Sequence, residues 1–147
     1  MADLFTPHAL PATTHSYLMR AAASLSEAVA APDPATRYAC AHVAALRAAA
    51  ALLAARARPA PATRRRQPNA WVLLAQVAPE MGEWATFFAA GAAKRAAAEA
   101  GSQRVVTERE ADDLVRDSDR FLALIERTLG LVPHAPVGVR LAGRAAG

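Results

Sequence analysis

Two residues at the start of a long alanine-rich stretch have side chains suited to chemistry, Arg37 and His42. An imidazole titrates near neutral pH, so His42 suits general acid–base work. Arg37 falls in the first turn of a helix that Asp33-Pro34 should open. There the helix dipole and the free backbone N–H groups already favour an anion, and a guanidinium fork suits phosphate. The two lie five residues apart, ~140° around a helix, so within one chain they occupy different faces. His42 also shares an apolar stripe with Tyr38, Ala45 and Ala49, which favours a buried histidine hydrogen-bonded inside the fold.

Arg56, Arg58, Arg64, Arg65 and Arg66 cluster in and beside the proline-rich stretch 58–68. Such a group suits salt-sensitive, sequence-independent contact with a nucleic-acid backbone. It holds no aromatic residue to stack on bases, and a solvated basic loop is the simpler reading. Trp84, Phe87, Phe88 and Gly91 run along one helical segment. Trp84 reads as core. Phe87 and Phe88 point ~100° apart, leaving one of them to anchor a homodimer, with Gly91 permitting close approach.

Asp112, Asp113, Asp117 and Asp119 alternate with Arg116 and Arg120 and read as a charged surface. His8, His15 and His134 have no zinc-ligand spacing. There is no glycine-rich phosphate loop and no nucleophile elbow, so no metal and no cofactor is expected. The single cysteine, Cys40, excludes an internal disulfide, fits a reducing cytoplasm and is expected to be buried and inert. Asp3-Leu4-Phe5 is at most a short motif for a protein partner.

The elements that must position these residues are helices. Of the 147 residues, 54% are hydrophobic but only 5% aromatic, and alanine dominates. That composition builds closely packed helices with few large anchors. Net charge is +4, with Lys94 the only lysine among the basic residues. No basic leader precedes an apolar run at the start, and no apolar run approaches the ~20 residues of a membrane span.

A first helix is expected from Thr13–Ser16 to before Pro32, with a stripe of Leu18, Ala22, Leu25 and Val29. Asp33 caps a second, reaching about Ala57. A third starts near Asn69, breaks at Pro79 and resumes to about Ala100, where Gly101 stops it. Thr107-Glu108-Arg109-Glu110 is a capping box for the last helix, whose stripe runs from Ala111 to Leu129 before Gly130. The expected architecture is an all-α, antiparallel up-and-down four-helix bundle over residues 14–130. Residues 1–13 form a flexible arm and 131–147 a flexible tail.

Arg37-Tyr38-Ala39-Cys40-Ala41-His42 running into alanines resembles the second helix of HEPN domains. Thr107-Glu108-Arg109-Glu110-Ala111 through Phe121-Leu122 resembles their closing helix, and Lys94-Arg95 fits the end of the helix before it. Over residues 15–130 the chain resembles an uncharacterised actinobacterial branch of that superfamily. The resemblance implies a bundle of four or five helices, commonly dimeric. Some members cleave RNA with an arginine and a histidine four to six residues apart. Others are noncatalytic modules that bind nucleotides or RNA. Arg37 and His42 meet the cleaving spacing, but Tyr38 follows the arginine where those forms usually carry a polar, non-aromatic residue. The leading expectation is therefore a noncatalytic binding module for nucleotide, RNA or a protein partner. A metal-independent endoribonuclease using Arg37 and His42, and a structural adaptor, are the alternatives.

Overall fold

The structure, a computed structural model, describes residues 9–56, 69–102 and 104–137. Those residues are all-α, with no strand among them. The helices are α1 (Ala12–Ala30), α2 (Pro34–Arg56), α3 (Ala70–Val77), α4 (Gly82–Ala90), α5 (Ala92–Glu99) and α6 (Glu108–Thr128), with a 3-10 turn at Pro79–Met81.

The helix boundaries follow from local chemistry. The Asp33 carboxylate accepts hydrogen bonds from the Thr36 amide at 2.9 Å and the Thr36 hydroxyl at 2.8 Å, which opens α2. Asn69 accepts from the Val72 amide at 2.9 Å and opens α3. At α6 the capping box is complete: Thr107 accepts from the Glu110 amide at 3.1 Å, and Glu110 accepts from the Thr107 amide at 3.0 Å. Gly101 and Gly130 stop α5 and α6 with φ of +94° and +80°, the left-handed region in which glycine carries no Cβ penalty.

The segment after Asn69 breaks at Pro79 as its sequence implies. It also breaks at Gly91, so Ala70–Glu99 holds three helices where two were expected.

α2 is the central element. It packs on α1, α3, α5 and α6, and its Ala41, Ala45, Ala48, Ala49 and Ala51 are wholly buried. By length and apolar composition it is the one described helix that could cross a membrane, yet most of it is enclosed by its neighbours, as a core helix is. Thr14 donates to the Ala51 carbonyl at 3.0 Å and Arg47 to the Ser24 hydroxyl at 2.9 Å, which sets α1 antiparallel to α2. These buried polar positions turn the inward face of α1. Ala21 and Ala28 are enclosed, whereas Ala22, expected in the stripe, is exposed.

The expected tail also needs correction. Residues 131–137 lie against α6, and Val137 is buried. Residues 138–147 are outside the described range, as is most of the expected arm.

Candidate functional site

Arg37 is 2% exposed, although it stands in the first turn of α2. Its Nη1 donates to Glu108 at 2.7 Å and to Asp112 at 3.0 Å, both on α6. Its Nη2 donates to the carbonyls of Ala31 at 3.1 Å and Pro32 at 3.3 Å. One guanidinium thus ties the α1–α2 turn to the first turn of α6. A cation there opposes the dipole of α2, but two carboxylates and two carbonyls offset this.

His42 is 1% exposed and faces α4 instead. Its Nε2–H donates to the Phe88 carbonyl at 2.8 Å, which leaves Nδ1 as a bare acceptor with no partner among the described residues. Burial lowers its pKa below the ordinary value, and the Phe88 carbonyl only partly opposes that, so the ring is neutral at pH 7. Trp71 and Phe88 meet the ring edge-on at centroid distances of 5.9 Å and 6.1 Å. Arg37 and His42 therefore serve different neighbours and do not meet within the chain.

Beside His42 lies a cavity of about 370 Å³, lined among others by Tyr38, Phe87, Gly91, Lys94 and Leu114. Its shape depends on the α4–α5 break. A Cβ at Gly91 would stand 2.8 Å from the Tyr38 hydroxyl and 3.4 Å from the His42 ring, so glycine is what lets α2 come this close. Lys94, hydrogen-bonded to Glu110 of α6, closes one side. That bond holds the lysine pKa up and the Glu110 carboxyl down. Burial raises the Tyr38 phenol, which stays protonated and able to donate. The cavity offers a hydroxyl, an ammonium and an apolar wall. These are groups for binding, with no exposed acid–base pair among them.

Of the residues expected to build a dimer surface, Phe88 is 1% exposed and lies at the centre of an aromatic cluster. It stacks on Trp71 at 5.1 Å and on Trp84 at 5.9 Å, and it meets Phe121 at 5.1 Å. Phe88 is core because α4 presents it to α2 and α6. Phe87, one step round the helix, is 46% exposed. Gly91 faces Tyr38 within the chain. In the basic cluster Arg56 is ion-paired with Glu80, while Arg58, Arg64, Arg65 and Arg66 lie outside the described residues.

Cys40 is half-buried, less enclosed than expected, and burial raises its thiol pKa, which keeps it protonated. No group of His, Cys, Asp and Glu able to hold a metal occurs among the described residues.

Sequence reading missed one cluster. His134 donates through Nε2 to Asp119 and through Nδ1 to Glu126 at 2.5 Å. The two carboxylates raise its pKa to about 9, Asp119 contributing most. The Val137 amide also donates to Asp119, at 3.3 Å. The available signal was the i, i+7 spacing of Asp119 and Glu126, which places both on one face of α6, with a proline-flanked histidine following.

No curated protein and no solved structure matches the chain. A family model for SAV_6107-like HEPN domains matches residues 28–126, from the end of α1 through the cavity and the Arg37 contacts to the last turns of α6. With more than half of its length matched and its described residues all helical, the chain belongs to the SAV_6107-like HEPN family.

Proposed function

We propose that this chain is a noncatalytic HEPN-like binding module for nucleotide, RNA or a protein partner. In this reading it is an up-and-down four-helix bundle, with α3, α4 and α5 together standing as the third helix. The observation that carries it is the engagement of Arg37 and His42. An arginine that stabilises a reacting phosphate needs free donors. Both terminal nitrogens of Arg37 are bound to groups of its own chain, and its remaining donor, Nε, is buried out of reach of a ligand. An acid–base histidine needs access to the reacting group, and His42 is enclosed, with its Nε2 on the Phe88 carbonyl. The cavity beside it supports binding, since its polar groups surround an apolar wall.

The module works as a homodimer in which exposed Phe87 is the apolar anchor. Single-stranded RNA incubated with the purified chain in the presence of a metal chelator should stay intact. Cleavage that His42→Ala abolishes would replace this reading with the endoribonuclease. Absence of RNA and nucleotide binding at low salt would leave the structural adaptor.

A further inference from the structure

Four arginines of α6 recur at an unusual spacing. Arg109, Arg116, Arg120 and Arg127 stand at i, i+7, i+11 and i+18, which returns each to within about 20° of one line along about 27 Å of helix. Three of them, Arg116, Arg120 and Arg127, line one cleft of about 370 Å³. Its other wall includes Pro136 of the segment that follows α6. The cleft is built by the docking of residues 131–137.

The carboxylate within this cleft, Asp119, is held by His134 and the Val137 amide. With its pKa at about 9, His134 is protonated at neutral pH and offsets one of the two carboxylates, Asp119 and Glu126, that it bridges, so the cluster opposes the arginines with one negative charge instead of two. The other carboxylates along the line hold their arginines loosely. Asp113 stands 4.0 Å from Arg109 and 3.3 Å from Arg116, and Asp117 stands 3.7 Å from Arg120. Exposed pairs of this kind are worth under about 1 kcal/mol, so phosphate oxygens compete with them readily. Arg127 has no ion-pair partner among the described residues.

We propose that the arginine line of α6, with the cleft closed by Pro136, binds the phosphodiester backbone of a nucleic acid. A line of cations about 27 Å long suits a chain of phosphates better than one phosphate group, which converging side chains would hold. No aromatic residue lines the cleft, so binding is sequence-independent and salt-sensitive. The cleft shares no lining residue with the cavity beside His42, although Asp113 and Asp117 border the neighbouring pocket at Tyr38, Phe87 and Leu114. It rests on the reading of the chain as a binding module and names one of its ligands.

The test is fluorescence anisotropy with labelled single-stranded RNA and duplex DNA of mixed sequence, from about 50 mM salt upward. Wild-type chain should bind, and the RNA and duplex arms decide which backbone is preferred. The triple variant Arg116→Gln, Arg120→Gln, Arg127→Gln should bind at least about tenfold more weakly, with a duplex salt slope shallower by roughly 2.7. Circular dichroism checks that it is folded. Asp113→Asn with Asp117→Asn removes the competing carboxylates and should bind several-fold more tightly, a gain that misfolding does not mimic.

No binding by the wild type, or a triple variant that binds like it, overturns the proposal. The second result does so while leaving the module reading intact. A triple variant that changes the sedimentation state of the free chain, with affinity unaltered, would make the line a protein contact and overturn it too. RNA cleavage by the wild type would strike the noncatalytic reading alone.

Discussion

At the scale of single residues, buried polar groups decide more than exposed ones. Arg37 brings a charge into the hairpin end of the molecule, where two carboxylates and two carbonyls hold its terminal nitrogens, while its buried Nε has no hydrogen-bond partner among the described residues. Truncating it to Met leaves the Ala31 and Pro32 carbonyls without this donor and removes the ion pairs between α2 and α6. Urea denaturation should show a loss of about 2–4 kcal/mol. Neutralising Glu108 and Asp112 together, as Gln and Asn, leaves the guanidinium enclosed without counter-charge and should cost a similar amount. An unchanged midpoint in both variants would mean that Arg37 is not structural.

Gly91 is a second case. An alanine within a helix usually gains about 1 kcal/mol over glycine, but here its Cβ meets the Tyr38 hydroxyl. Gly91→Ala should therefore lose about 1–2 kcal/mol, and adding Tyr38→Phe should recover most of it. Equal losses in the single and double variants would locate the strain elsewhere.

At the scale of elements, α6 and the segment after it form one unit. Thr107 and Glu110 open the helix, Gly130 closes it, and His134 fastens the following residues back onto Asp119 and Glu126. The His134 pKa is raised from 6.5 to about 9. A raised histidine binds its proton more tightly in the folded chain than in the unfolded one. Its stabilising contribution is thus complete below about pH 6.5 and is lost as pH rises through about 9. The ring resonances of His134 should titrate with a midpoint near 9 by NMR. Residues 131–137 should lose protection from amide exchange, relative to α2, as that midpoint is passed. His134→Gln should abolish this pH dependence. A midpoint near 6.5 would mean that the two carboxylates do not hold the ring.

At the scale of the whole molecule, α2 is the shared wall against which α1, α3, α5 and α6 pack, and its run of alanines allows their close approach. The face proposed for the homodimer includes Phe87, 46% exposed beside Tyr38 and Leu114. Phe87→Glu should shift the chain from dimer to monomer in sedimentation equilibrium, with thermal stability changed by only a few degrees because the residue is outside the core. Phe88→Ala should instead cost about 3–5 kcal/mol, since it empties the centre of the aromatic cluster. A wild-type chain that is monomeric at all concentrations would refute the dimer.

Much of this protein is determined by its sequence alone. Asp33-Pro34, Asn69, Pro79, Gly101, the Thr107–Glu110 box and Gly130 set helix boundaries, because capping groups, a missing amide and left-handed glycines act within a few residues. The apolar stripe of α6 was equally legible from its helical spacing, but Asp119, read as charged surface, is buried beneath His134 and Val137. What only the tertiary structure decided are contacts between distant residues. The second break at Gly91 and the burial of Thr14 and Ser24 that turns α1 depend on partners far along the chain, and the docking of His134 depends on the chain folding back past Gly130 onto α6. The same holds for Arg37 and His42, which were visible as chemistry from their types and spacing. Whether they are free for it depended on Glu108 and Asp112, more than seventy residues from Arg37, and on the Phe88 carbonyl, which no local pattern brings to His42.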